Sequence, residues 1–138
     1  MKGPESGGLI LKVTESFIVS WNNHDARNFA SLFAEDAVLT NVVGEIAKGR
    51  HAIEMFHEPL FRSIFKDSRL SAEDVQVRVV DQDVSSVDLI WGLAGVLDPN
   101  GNLRPPRRGI INFLLTREDD GSWRIKRMQN LVLPDAAI

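Results

Sequence analysis

One histidine stands where its imidazole could carry a proton inside an apolar site. In the run from Ile53 to Ile64, apolar residues recur every three or four positions, the spacing of one helix face, and His57 lies on that face. A neutral imidazole can take or release a proton near pH 7, so His57 is the candidate catalytic residue. The alternative is a core histidine that bonds a backbone carbonyl or a neighbouring helix, because a buried polar group needs a partner.

Three amide side chains could give a cavity its other polar groups. Asn41 lies on the first predicted strand, and Asn112 and Gln129 share strand parity with apolar residues of two later strands. If those apolar residues face the core, the amides face inward and could bind a carbonyl or hydroxyl of a ligand. The alternatives are that Asn41 braces the turn at Gly44, and that the amides only bond one another inside the core.

Aromatic side chains are the remaining candidate ligand contacts. They recur at helix or strand spacing, which would let them line a cavity, and they are Trp21, Phe33, Phe56, Phe61 and Trp91. Aromatic residues at such spacing also form an ordinary hydrophobic core, so both interpretations stay open.

The charge balance excludes a strongly basic nucleic-acid binder. The chain of 138 residues has 16 Lys+Arg against 19 Asp+Glu, a net charge of −3, whereas affinity for nucleic acid comes mainly from neutralised phosphates. One short basic run, residues 104–108, has three arginines that could meet a carboxylate or phosphate. Its alternative is a solvated loop between strands.

No metal and no cofactor are expected. The chain has no cysteine, which excludes disulfides, zinc–thiolate sites and thiol nucleophiles. His51 and His57 are six residues apart, unlike the pair four residues apart of a helical zinc motif. The sequence also has no glycine-rich phosphate loop and no serine nucleophile elbow.

The elements that must position these residues begin with three helices. Residues 1–8 are rich in glycine and proline and are expected to be a flexible lead, followed by a single domain over residues 9–138. Helical spacing predicts one helix directly after the lead, a second capped by Asp25, and a third after Gly49. Pro59 inside the third pattern is expected to kink or split it.

The strands follow from alternation of apolar and polar residues. A short hairpin is predicted around Gly44, and a meander of long strands from Leu70 onward. Segregated helices and antiparallel strands indicate an α+β fold. A curved sheet wrapped around the helices would enclose a pocket.

An ordered set of short motifs spans residues 9–133. The set consists of Phe33-Ala34-Glu35-Asp36-Ala37-Val38-Leu39, Asn41-Val42-Val43-Gly44, Gly49-Arg50, His57 with Phe61 and Phe65, Asp83-Val84, Trp91, Arg108-Gly109-Ile110, Trp123-Arg124-Ile125 and Gln129-Asn130. It resembles the nuclear-transport-factor-2-like superfamily and, among its SnoaL-like members, the SgcJ/EcaC branch. The resemblance implies a conical α+β roll of the cystatin-like type, an apolar pocket, and commonly a homodimer through the outer face of the sheet.

The resemblance also bears on the reaction. SnoaL-like members include ketosteroid isomerase, scytalone dehydratase and polyketide cyclases, so several chemistries share this fold. Asn41 stands where the ketosteroid isomerase pattern has its basic aspartate, and the chain has no tyrosine to act as oxyanion donor. Isomerisation by that mechanism is therefore not expected.

We predict a small-molecule pocket protein that binds an apolar, oxygen-bearing ligand. Cofactor-free hydration, dehydration or hydrolysis, with His57 as proton carrier, is left open. The alternatives are a non-catalytic carrier or sensor and a dimeric interaction module.

A homodimer is predicted from the strand at residues 110–116, where both faces are apolar. Phe113 is on one face, Leu114 is on the other, and Met128 on the last strand is expected to extend an exposed patch. A large exposed apolar patch usually marks an interface.

A cytoplasmic location without membrane contact is expected. No apolar run approaches the roughly 20 residues of a membrane span. Residues 1–8 have no apolar core like that of a signal peptide.

Overall fold

The structure is a computed structural model, and it describes residues 3–134. Its elements are α1 (Gly3–Asn22), α2 (Ala26–Ser31), β1 (Phe33–Thr40), β2 (Ile46–Lys48), α3 (Arg50–Phe61), β3 (Arg69–Val79), β4 (Val84–Ala94), β5 (Arg107–Arg117) and β6 (Trp123–Val132). None of the helices in this part of the chain is long and apolar enough to cross a membrane.

The six strands form one sheet in the order β2-β1-β6-β5-β4-β3. Neighbouring strands are antiparallel except β1 and β6, which run parallel. Bulges in β3 and β6 help to bend the sheet around the helices. The core lies between them, and there the ring of Phe29 is 5.0 Å from Phe17 and 5.5 Å from Phe33. The predicted α+β architecture, with a curved sheet wrapped around three helices, is confirmed.

Helix α1 begins earlier than the sequence predicts. Its backbone is helical from Gly3, within the range 1–8 that was expected to be a flexible lead. Pro4 does not prevent this, because proline is compatible with the first turn of a helix, where the backbone N–H groups have no helical acceptor.

The second helix is shorter than its apolar spacing suggests. Asp25 caps it as predicted, with its carboxylate accepting a hydrogen bond from the Asn28 backbone N–H at 3.0 Å. The helix ends at Ser31, and Phe33, which the pattern placed on the helix face, begins β1. Phe33 is fully buried on the strand. Apolar spacing does not distinguish a buried helix position from a buried strand position.

Helix α3 is not split by its proline. Pro59 lies in the last turn, and the helix ends two residues later at Phe61, so little helix remains to be disturbed. The buried face of α3 is therefore continuous, with Ile53, His57 and Phe61 spaced one turn apart.

The outer face of the sheet is less apolar than the sequence predicts. Phe113 and Met128, which were expected to form an exposed patch, are buried on the inner face at 2% and 4% exposure. The apolar residues of the outer face include Leu114 and a row formed by Ile90, Ile110 and Leu131, which pair across β4, β5 and β6.

Candidate functional site

A cavity of about 770 Å³ lies between helices α1 and α3 and the inner face of the sheet. The exposed side chains of Val43 and Met55 are at its open end. Its wall is mostly apolar, and its polar lining residues are Asn41, Glu45, His57, Arg104, Arg107 and Asn130. A few polar groups in an apolar wall, within about 300–1,000 Å³, are typical of small-molecule sites.

His57 is held on the buried face of α3, in contact with the cavity. Its Nδ1 is 2.8 Å from the backbone carbonyl oxygen of Ile53, one turn earlier. The imidazole packs against aromatic rings, of which that of Phe29 is closest at 4.5 Å. Burial lowers the pKa of His57 to about 4, although the bond to the Ile53 carbonyl acts in the opposite direction.

The ring of His57 is therefore neutral near pH 7, and its hydrogen bond shows which of the two ring nitrogens carries the proton. A carbonyl oxygen only accepts, so Nδ1 must donate and Nε2 carries the lone pair. Within residues 3–134, the bond to Ile53 is the only hydrogen bond of this ring. His57 makes no hydrogen bond within residues 3–134 to Asn41, Asn112 or Gln129, the amides that the sequence suggests as the other polar groups of the cavity.

Asn41 lies at the cavity mouth, where its amide organises the turn between β1 and β2. Its Oδ1 accepts hydrogen bonds from the backbone N–H groups of Val43 at 3.1 Å and Glu45 at 2.9 Å. Its Nδ2 donates to the Glu45 carboxylate at 2.9 Å. The interpretation that Asn41 braces the turn at Gly44 describes these contacts.

The second amide that lines the cavity is Asn130, the neighbour of Gln129, which strict alternation along the strand would turn to the face opposite Gln129. Its Oδ1 accepts a hydrogen bond from the indole Nε1 of Trp91 at 2.8 Å, and both residues line the cavity. Gly109 makes this arrangement possible, because a β-carbon there would clash with the Trp91 ring and lie 2.5 Å from the carbonyl oxygen of Leu131.

Asn112 and Gln129 do not reach the cavity. On β5 the inward side chains alternate with Asn112, which is exposed and donates to the Asp88 carboxylate at 2.5 Å on the outer face. Gln129 is exposed as well. Strict alternation from Trp123 predicts that Gln129 faces inward. This prediction is wrong because a bulge between Ile125 and Arg127 adds one residue to β6 and reverses the direction of the later side chains.

The predicted aromatic contacts divide into cavity wall and core. Trp21, Phe56 and Trp91 line the cavity. Phe33 and Phe61 are buried away from it, and Phe61 supports the wall from behind, with its ring 5.0 Å from that of Trp21. Two of the predicted ligand-contacting aromatics are therefore core residues.

The basic run contributes two arginines to the cavity. Arg107 begins β5 opposite Leu93, whose side chain also lines the cavity, and Arg104 lies in the loop before it. Arg108 points to the other face, where its Nε donates to the Glu73 carboxylate at 2.8 Å. Strand parity with Gly109 could have signalled that Arg107 faces inward.

No metal-binding cluster is evident in residues 3–134, where no three side chains of the His, Asp or Glu type come together in a way that could hold an ion. The cavity has a single histidine and a single carboxylate among its lining residues, His57 and Glu45. The polar side chains of the cavity are suited to hydrogen bonds and ion pairs with a ligand, and not to the coordination of a metal ion.

The fold and the cavity together define a class of protein, a cystatin-like roll with an internal pocket. The chain belongs to the SnoaL-like domain family, whose model matches residues 14–128. No curated protein matches the chain.

Solved structures share the fold at low sequence identity. An uncharacterised cystatin-like protein of Caulobacter vibrioides has a TM-score of 0.86 at 23% identity, covering 95% of this chain and 92% of its own. A ketosteroid isomerase-like protein of Erwinia carotovora has a TM-score of 0.77 at 17% identity, covering 92% and 95%. A nuclear-transport-factor-2-like superfamily protein of Salmonella enterica has a TM-score of 0.80 at 13% identity, covering 94% and 92%. These matches establish the fold.

Proposed function

We propose that this protein binds a small, apolar, oxygen-bearing molecule in the cavity. The observation that carries the proposal is a cavity of about 770 Å³ whose wall is mostly apolar and includes only a few polar side chains. The indole N–H of Trp91 donates to Oδ1 of Asn130, which leaves the Nδ2 donors of the amide for a ligand. The lone pair of His57 Nε2 is available to accept from a ligand hydroxyl.

Cofactor-free acid–base catalysis is the second candidate, because His57 Nε2 has no partner within residues 3–134. We rank it below binding, since a base with a pKa of about 4 is weak and the ring's one hydrogen bond within residues 3–134 is to a backbone carbonyl and not to an acid or base. Hydrolysis of 2-naphthyl acetate that is lost in His57→Gln and kept in His51→Gln would support it. Equal rates in both variants and the parent would contradict it.

Saturable binding of 2-naphthol, a two-ring alcohol, is the expected result for the parent protein. Trp21 and Trp91 line the cavity, so occupancy should quench part of the tryptophan fluorescence. Leu60 is half-buried on the cavity wall, and Leu60→Trp should fill the space and weaken binding at least about tenfold, or about 1.4 kcal/mol.

The matched control for this titration is Val19→Trp, which adds the same bulk to an exposed position on α1 outside the cavity. It should bind 2-naphthol like the parent. The proposal fails if the parent shows no saturable quenching, or if both tryptophan variants bind equally well.

A homodimer through the outer face of the sheet is the partner that we propose. Leu131 is 60% exposed and Leu114 is 37% exposed, and the row formed by Ile90, Ile110 and Leu131 gives this face an apolar centre. Polar pairs such as Asp88 with Asn112 lie beside the row, so such an interface would be mixed in character.

Light scattering should give twice the chain mass of 15.4 kDa for the parent and 15.4 kDa for Ile110→Glu. The glutamate would place a charge in the centre of the apolar row, where burial without a partner is costly. Val80→Glu changes an equally apolar, 64% exposed residue beyond the end of β3 and should remain dimeric. A parent that stays monomeric on concentration contradicts the dimer.

The narrower assignments from the sequence remain part of this proposal. They are membership of the SgcJ/EcaC branch, a single domain over residues 9–138, and a cytoplasmic location. Each rests on the sequence motifs and composition described above.

A further inference from the structure

We propose that the ligand carries an anionic oxygen group, a carboxylate or phosphate, and that Arg107 binds this group while the apolar part of the ligand fills the cavity. This inference rests on the proposed binding function and adds the chemical class of the ligand. It starts from the orientation of Arg107, which belongs to the basic run that the sequence predicts either to meet an anion or to form a solvated loop.

Arg107 is directed inward by its position on β5. It pairs with Leu93 and has the same parity as Ile111, and both of these side chains line the cavity. The guanidinium is half-buried, and its Nε is completely buried without a hydrogen-bond partner. A buried donor without a partner is costly, so an anion bound against the guanidinium from the cavity would stabilise this side chain.

No carboxylate within residues 3–134 forms an ion pair with Arg107. Among residues 3–134, the ion pairs involve other arginines, such as Arg108 with Glu73 and Arg117 with Asp83. Burial, and then the nearby charge of Arg104, lower the pKa of Arg107, as expected for a partly buried cation that has another cation near it.

The other charged groups around the cavity leave its positive character in place. Arg104 also lines the wall, so the lining residues include two arginines against one carboxylate, Glu45. Glu45 accepts from Asn41 in the β1–β2 turn. Asp98, in the loop before Arg104, accepts from the backbone N–H groups of Asn100 and Asn102. The charge of Arg104 also helps to lower the pKa of Asp98, so Asp98 offsets part of the charge of Arg104 but not that of Arg107.

A guanidinium is well suited to this role. Its planar set of N–H donors binds both oxygens of a carboxylate or phosphate, and such charge-assisted hydrogen bonds are stronger than neutral ones. Arg107 is at the end of the cavity nearest the 95–106 loop, whereas His57 and Trp91 lie along its apolar wall. A molecule with one anionic end and an apolar body matches that arrangement.

The test compares three probes with the same two-ring body: 2-naphthol, 2-naphthoate and 2-naphthyl phosphate, titrated near neutral pH. The parent should bind at least one of the two anions about tenfold or more tightly than 2-naphthol, as expected for a charge-assisted hydrogen bond. The stronger of the two anions identifies carboxylate or phosphate as the group.

Arg107→Gln should abolish that preference while changing the affinity for 2-naphthol less than about threefold. Arg108→Gln is the matched control, because it removes the adjacent arginine on the outer face and should leave all three affinities unchanged. Thermal unfolding of each variant verifies folding, and Arg104→Gln gives a second, milder test with a partial loss of the preference.

The outcomes separate the inference from the proposed function. Binding of 2-naphthol without preference for either anion, or a preference that survives Arg107→Gln, overturns the anionic group and leaves the apolar pocket standing. Failure of all three probes to bind overturns the proposed function, and this inference with it.

Discussion

Lowering the pH from 7 to about 4.5 should destabilise the folded protein by about 2 kcal/mol through His57 alone. Burial lowers its pKa from 6.5 to about 4 in the folded state, so the unfolded chain takes up the proton first. The contribution of His57 is fully present above the unfolded pKa and is lost as pH falls from about 6.5 to about 4. The whole difference amounts to about 3 kcal/mol.

Urea unfolding at several pH values measures this dependence, and variants identify its source. His57→Gln removes the titrating ring and should flatten the dependence between pH 7 and 4.5. His51→Gln removes an exposed histidine of the same helix and should leave it unchanged. Carboxylates with lowered pKa values, such as Asp36 beside Lys126, lose their contribution only at lower pH. An unchanged slope in His57→Gln would contradict the buried neutral ring.

Gly109→Ala should destabilise the protein by about 3 kcal/mol, the scale of overpacking in a filled core. The new methyl group would clash with the Trp91 ring and lie 2.5 Å from the carbonyl oxygen of Leu131, which belongs to the paired backbone of β6. Displacing the indole would also break its hydrogen bond to Asn130. The variant should therefore lose both unfolding free energy and 2-naphthol binding.

Gly92→Ala is the matched control for this substitution, because it adds the same methyl group one residue from Trp91. Its nearest neighbours are the Glu73 carboxylate at 2.9 Å and the Ser71 hydroxyl at 3.1 Å, both of which are ends of side chains that can move. Its unfolding free energy should stay within about 1 kcal/mol of the parent. Equal stability of the two alanine variants would show that β5 and Trp91 are not in close contact.

The parts of the fold that could be predicted are those with a single apolar face. On β4, Val87, Leu89, Trp91 and Leu93 are all buried, and of the residues that alternate with them, Asp88, Ile90 and Gly92, only Ile90 is strongly apolar. The helical spacing that placed His57 beside Ile53 is likewise observed as one buried face of α3. In both elements the pattern identifies the buried face, because burying the opposite face would expose most of the apolar side chains.

The candidate site was harder to predict, because it depends on strands whose pattern is ambiguous or interrupted. Both faces of β5 are apolar, so parity alone cannot tell that Asn112 faces outward. On β6 the bulge before Arg127 turns Asn130 inward in place of Gln129. No residue type near the bulge signals that the strand contains an extra residue. Register is a tertiary property, and a shift of one residue turns every later side chain to the other face.

The place of β6 in the sheet has a consequence for the order in which the protein can assemble during synthesis. The last strand, Trp123–Val132, joins the β1–β2 hairpin to the β5-β4-β3 meander, and no other strand links these two parts of the sheet. Until the ribosome has released it, β1 and β5 each present an unpaired edge, a known template for aggregation. The nascent chain therefore holds two incomplete sheets, and the pocket closes only after β6 has been synthesised.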